Sequence, residues 1–259
     1  MIAIKNKVAI RKMEQAGARL VEIFQEITPL IKPGITTLEI DQAIEVCIKA
    51  KGMESKTKGY MGYRHSSCIS VNDVVVHGVP SAQVSLKEGD LVKVDVCASW
   101  NGYCADMARS FYVGDMPEDV ARFVENAQRA LNKGIEQARP GNRLGDISAA
   151  IQKEIEAGGY GIIRDFAGHG IGKQMHEEPE ILNVGSAGKG PILRAGMAFA
   201  IEPMTTMGTH DVYITDDGWT VKTADRSLAA HVEDTVVVTE NGPKILTRTT
   251  AALAASDIL

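Results

Sequence analysis

Two stretches of this chain repeat one another at a single fixed spacing, and that restricts its fold more than any one motif does. Lys32-Pro33-Gly34 is matched by Arg139-Pro140-Gly141, 107 residues later. The same step carries Ile40 to Ile147, Ala43-Ile44 to Ala150-Ile151, Ile48 to Ile155 and Gly52 to Gly159. Positions 40, 44, 47 and 48 fall on one helical face, as do 147, 151 and 155. Each unit opens on a Pro-Gly turn and closes at a glycine. The segments before them, Met13 to Leu30 and Pro117 to Ala138, also read as helices. Farther along, Leu86-Lys87 and Gly89 match Leu193-Arg194 and Gly196, and Asp95 falls on Glu202. Chance is a poor explanation for one offset held through helix, turn and strand. It predicts one domain over residues 1–259, made of half-repeats at about 10–115 and 117–246. The implied fold class is α+β: pseudo-twofold halves, a mostly antiparallel sheet on the concave side and four main helices outside. Such symmetry would bring Asp95 and Glu202 together near its axis, where a negative pocket needs a counter-charge.

The stretch Leu91 to Phe111 reads as a β-hairpin. Val92, Val94 and Val96 alternate with Lys93, Asp95 and Cys97, which is strand periodicity. Asn101-Gly102 is the strongest short turn signal, because both residues tolerate positive φ. With those two in the turn, Trp100 faces Tyr103, Cys97 faces Asp106 and Asp95 faces Ala108. Asp95 and Asp106 then share a face as diagonal neighbours, roughly 7–8 Å apart. Two aspartates on a largely apolar face repel and lose hydration, and a cation between them removes both problems. The competing reading has one Asp capping a turn and the other paired with Lys93 or Arg109. The hairpin alone does not separate the two.

Composition narrows the function classes. With 44% hydrophobic and 24% charged residues, the chain has an ordinary globular balance. A net charge of −5 gives no sign of nucleic-acid or membrane-surface binding. Cys47, Cys68, Cys97 and Cys104 have no CxxC spacing, so free thiols in a reducing cytosol are expected. The start has no apolar signal region, and no apolar run is long enough to span a membrane.

Other residues gain meaning only together. Tyr60, Tyr63 and Cys68 lie in KGYMGYRHSSCIS, which alone reads as a packed aromatic loop. His77 ends an apolar strand before Gly and Pro; alone it is a structural histidine, and in a metal pocket it is a proton carrier. FAGHGIGKQMHEEP places His169 between glycines, which let backbone approach a ligand closely, and His176 seven residues later. Glu202 ends the apolar strand GMAFAIE, and Glu233 enters the Val-rich HVEDTVVV, where Asp234 reads as a surface acid. Asp95, Asp106, His169, Glu202 and Glu233 together form a hard-to-borderline donor set. It suits two divalent ions of the Mn, Fe, Co or Zn kind, which polarise a carbonyl and activate water.

In this order and context the residues resemble the type I methionine aminopeptidases, which have the pita-bread fold. FAGHGIGKQMHEEPEILNV is similar to the signature around their ligand histidine, and WTVKTADRSLAAHVEDTVVVT to their C-terminal block. The resemblance runs from about Lys5 to Leu246. Only 31 residues separate Glu202 from Glu233, so the helical insertion of type II enzymes is absent; with no zinc-finger extension, the short bacterial form is implied. The resemblance implies that Asp95, Asp106, His169, Glu202 and Glu233 bind two metal ions, with Asp106 bridging. It makes Glu202 the base, His77 a proton-transfer and substrate contact, and His176 the stabiliser of the tetrahedral intermediate. Tyr60, Tyr63, Cys68, Met175 and Trp219 would line the methionine side-chain pocket, and a monovalent cation would sit near Asn72 and Val74. The implied activity is removal of the initiator methionine when the second residue is small and uncharged. Implied with it are a peptide or nascent-chain N-terminus as partner, transient ribosome contact, a cytoplasmic location and a monomer, with no membrane or specific nucleic acid. The alternatives are a proline-directed peptidase of the same fold, whose usual large extra N-terminal domain this chain has no room for, and a relative that has lost its metal. Met107, Ala167, Met175, His231 and Asp234 depart from the usual pattern, which bears on pocket shape and metal-site tuning rather than on reaction class.

Overall fold

The structure, a computed structural model, describes residues 2–249. Four long helices form two pairs, α1 (Lys7–Ile27) with α2 (Thr37–Ala50), and α3 (Glu118–Gln137) with α4 (Leu144–Ala157). Their starts follow from local chemistry. The Asn6 side chain accepts from the Ala9 amide at 2.9 Å and caps α1. Thr36 and Glu39 form a reciprocal capping box at α2, with bonds of 3.2 and 2.8 Å. Asp146 ties the Arg143 amide at 2.7 Å at the start of α4. Both ends of α2 and α4 stand 107 residues apart. The flanking contacts keep that spacing too: Gly34 N donates to Leu86 O at 2.8 Å, and Gly141 N to Leu193 O at 3.0 Å.

The main sheet has nine strands among the described residues. In chain order they are β1 (Glu54–Ser55), β2 (Cys68–Val71), β3 (Leu91–Trp100), β4 (Tyr103–Tyr112), β5 (Ala167–Gly170), β6 (Glu177–Leu182), β7 (Ala198–Ile201), β8 (Glu233–Thr239) and β9 (Gly242–Ile245). Across the sheet the order is β1-β3-β4-β8-β7-β5-β6, with β2 on β3 and β9 on β8, and every pair is antiparallel. The α+β class expected from the repeat is the class observed.

Each helix pair covers half of the sheet. Leu20, Ile23 and Ile27 of α1 and Ile40, Ile44 and Ile48 of α2 pack against Val92, Val94, Val96 and Ala98 of β3. Phe123, Val124 and Leu131 of α3 and Ile147, Ile151 and Ile155 of α4 pack against Phe199, Ile201, Val236 and Val238. With a period of two, alternate residues of the same strands leave the helices and face the opposite side. Two small three-stranded sheets close that side: Gly161–Ile162 with Met204–Thr206 and Ala229–His231, and Val74–Val76 with Val221–Thr223 and Val212–Ile214. No helix among the described residues is long and apolar enough to cross a membrane.

Candidate active site

The site starts with the register of the β3–β4 hairpin. Trp100 pairs with Tyr103 around the Asn101-Gly102 turn, Cys97 with Asp106, and Asp95 with Ala108. Asn101 and Gly102 take φ of 48° and 76°, the left-handed values that made this dipeptide a turn signal. Asp95, Cys97 and Asp106 therefore share the face away from the helices. Strand β8 joins β4 with Glu233 opposite Ala108 and Asp234 opposite Met107. Parity sends these neighbouring acids to opposite faces: Glu233 toward Asp95 and Asp106, Asp234 toward the helices. His169 on β5 pairs with Ala200 on β7, which pairs with Thr235 on β8. Glu202, just past β7, follows the same parity as Ala200.

These residues border one cavity of about 750 Å³. Asp95, Asp106, His169, Glu202, Glu233, His77, His176, Tyr60, Tyr63, Cys68, Met175 and Trp219 all line it. Donor atoms of Asp106, His169 and Glu233 lie within 4.8 Å of one another. His169 Nε2 stands 3.8 Å from Asp106 Oδ2 and 3.6 Å from Glu202 Oε1. Its other nitrogen, Nδ1, lies 3.0 Å from the Gly170 carbonyl. A carbonyl only accepts, so Nδ1 carries the proton and Nε2 presents a lone pair to the acids.

Neither basic residue of the hairpin neutralises this cluster. Arg109 belongs to the helix-side face, where it donates to Asp234 Oδ1 at 2.8 Å and to the Glu233 carbonyl at 2.5 Å. Arg248 also reaches Asp234, with Nε 2.7 Å from Oδ2. Asp234 is thus a fully buried structural acid rather than a surface one. Lys93 shares the face of Asp95, but its Nζ donates to the Asn72 carbonyl at 2.8 Å. The pairing alternative for the two hairpin aspartates is not what the chain adopts.

The electrostatics follow from four acids enclosed together. Burial, and then the charge of Glu202, push Asp106 up to about 7. Burial raises Glu202 to about 8, and burial with the neighbouring acids holds Asp95 and Glu233 well above the usual carboxylate range. Glu233 Oε1 is buried with no hydrogen-bond partner. An orphaned carboxylate oxygen beside oxygen and imidazole donors is what a divalent cation satisfies, so these residues fit such an ion. Burial also lowers His77 to about 4. At neutral pH His77 is therefore an uncharged hydrogen-bonding group.

The aromatic residues form the outer wall. Tyr60 OH is 3.0 Å from His176 Nδ1, and the His176 ring stands edge-on to His169 at 4.4 Å. Tyr63 packs on Trp219 at 5.0 Å, and His77 on Phe166 at 5.5 Å. Ala167, Met175 and His231, three of the unusual residues, line the cavity, while Met107 packs among the α1–α2 core. Sequence reasoning gave His231 no role, yet its Nε2 is 3.2 Å from Glu202 Oε2. Arg164, Asp165, Glu178 and Glu180 also line the cavity; sequence reasoning gave none of them a role, although Glu178 and Glu180 lie within the FAGHGIGKQMHEEPEILNV stretch. Asn72 and Val74 do not border it.

Comparison with known proteins gives a consistent picture. Residues 11–240 match the model of metallopeptidase family M24. A methionine aminopeptidase of Clostridium acetobutylicum is 47% identical over 247 residues, covering 95% of this chain and 99% of that protein. The crystal structure of methionine aminopeptidase from Thermotoga maritima superimposes with a TM-score of 0.94 at 41% identity, covering 96% of this chain and all of that one. Prolidase from Pyrococcus furiosus gives 0.77 at 27% identity, with 95% of this chain matched to 65% of that one.

Proposed function

The chain belongs to metallopeptidase family M24, and from that we propose that it is a metal-dependent aminopeptidase releasing N-terminal methionine when the second residue is small and uncharged. The observation that carries this reading is the enclosed acid and imidazole cluster at the floor of an aromatic and sulfur-lined cavity. Asp95, Asp106, His169, Glu202 and Glu233 would hold two divalent ions; Co, Mn, Fe and Zn all suit these donors. When bound, such ions polarise the scissile carbonyl and make a water acidic enough to attack at neutral pH.

The chain's own groups then have distinct tasks. Glu202 accepts the proton of the attacking water on a carboxylate oxygen, and His231 Nε2, 3.2 Å away, steadies that carboxylate. A Tyr60 hydroxyl donating to His176 Nδ1 leaves the proton on Nε2, which donates to the carbonyl oxygen as charge builds there. His77, uncharged, hydrogen-bonds the substrate backbone and relays a proton to the leaving amine. Tyr60, Tyr63, Cys68, Met175 and Trp219 surround the thioether, which such polarizable surfaces suit.

The same reading gives the partner as the free N-terminus of a peptide or nascent chain, met transiently at the ribosome in the cytoplasm by a monomer. It also treats the chain as one catalytic domain of two duplicated halves, about 10–115 and 117–246, a reading supported by helices whose ends repeat at 107 residues. The test is release of methionine from a Met-Gly-Met peptide by protein loaded with Co, Mn or Fe, run beside an X-Pro peptide. Turnover of the methionine peptide alone is expected. No cleavage with any of the three metals, or preference for X-Pro, would overturn the reading.

A further inference from the structure

The family resemblance puts a monovalent cation near Asn72 and Val74, but Asn72 has no free acceptor to offer one. Asn72 takes φ of 52° in the turn between β2 and Val74–Val76. Its carbonyl accepts from Lys93 Nζ at 2.8 Å and from the Ala229 amide at 3.1 Å. A carbonyl oxygen offers two lone pairs, and both are engaged. The Asn72 side chain is committed as well, with Nδ2 donating to Asp90 at 2.8 Å and Oδ1 accepting from the Leu91 amide at 2.9 Å.

Lys93 is only 1% exposed, a state lysine almost never adopts without partners. Burial lowers its pKa to about 7, while the charges of Asp73 and Asp90 act to raise it. Three segments meet at the Asn72 carbonyl. The Asn72 turn leads into the strand before His77, Lys93 precedes Asp95 by two residues on the same face of β3, and Ala229 begins the strand that leads to Glu233.

We propose that the terminal amino group of Lys93 fills the monovalent-cation position at the Asn72 turn, so that this chain joins its acid-bearing strands without an ion from solution. Lys93 is then a positioning residue. Its four-carbon stem spans from β3 to the turn, and its N–H holds the carbonyl that also anchors Ala229. This assignment takes the cation position from the family resemblance but not from the aminopeptidase activity, and its test involves no turnover.

The experiment is thermal unfolding of wild type and Lys93→Asn in potassium, sodium and tetramethylammonium chlorides at equal ionic strength. The wild-type midpoint is expected to be the same in all three. The variant is expected to unfold at lower temperature in tetramethylammonium and to recover by about 3 °C or more in about 100 mM potassium or sodium. A wild-type midpoint raised by potassium or sodium over tetramethylammonium overturns the proposal, as does a folded variant indifferent to the ion. If the variant does not fold, thallium(I) NMR on wild type decides: no protein-bound signal is expected, and a bound signal refutes the assignment.

Discussion

In the proposed mechanism the Tyr60 hydroxyl donates to His176 Nδ1 and so sets where His176 holds its proton. Without it Nδ1 has no fixed partner, and the imidazole is free to present its lone pair to the substrate carbonyl, where a donor is needed. Tyr60→Phe is therefore expected to lower kcat roughly tenfold, a fraction of the usual acid–base contribution. KM for a methionine peptide should change little, because the ring that lines the pocket stays. Steady-state kinetics check this, and a change confined to KM would show that Tyr60 acts only as a wall. Residue-scale chemistry was partly legible in the sequence. Asp95 and Asp106 stood out because an Asn-Gly turn fixes hairpin parity, and His169 because glycines flank it. The contacts of His231 with Glu202 and of Lys93 with Asn72 were not legible. Each joins segments 29 or 21 residues apart, and no local periodicity carries that information.

At the scale of elements, β4 and β8 work as a pair with two different faces. One face directs Asp106 and Glu233 into the cavity, and the other clamps Asp234 between Arg109, Arg248 and the Thr247 hydroxyl. Arg109 also holds the Glu233 carbonyl, so the clamp fixes the backbone that aims Glu233. Asp234→Ala leaves two largely buried guanidinium groups without their shared acid, at a cost of about 3–5 kcal/mol. That corresponds to a fall in Tm of roughly 10 °C or more, with metal affinity lowered as well. Calorimetry and metal titration measure both, and an unchanged Tm would show the clamp to be dispensable. Sequence reading placed Asp234 on a surface because a lone acid on a strand usually lies there. What reversed it was the strand order, which sets β8 beside β4 although more than a hundred residues separate them. Helices and the hairpin follow local rules, whereas sheet order depends on which apolar faces find each other.

For the molecule as a whole, the enclosed acids link folding to protons and to cations. Between their ordinary values near 4 and their raised values of about 7 for Asp106 and about 8 for Glu202, the native state holds protons that the unfolded chain has released. Stability of the metal-free protein therefore falls as pH rises through that range. His77, His169 and His231, lowered from 6.5 to about 4, act in the opposite sense, but only below about 6.5. Lys93, lowered to about 7, also opposes, with at most one proton against the four acids. From pH 6.5 to 8 the urea midpoint of metal-free protein should therefore drop, and divalent metal should abolish the drop by taking the place of the protons. A midpoint that rises over this interval would mean that the acids are already neutralised by groups of the protein.

Distant strands converge on a cage whose acids, in the proposed reaction, are balanced by divalent ions that carry the hydrolysis. Metal content and Met-peptide turnover, measured on the same preparations of wild type and Asp106→Ala, test it most directly. Wild type should retain divalent metal and release methionine, and the variant should lose tightly bound metal together with at least about a hundredfold in turnover, as removal of catalytic metal demands. A wild type that cleaves at full rate after its metal is stripped, or a variant that keeps both metal and activity, would contradict it.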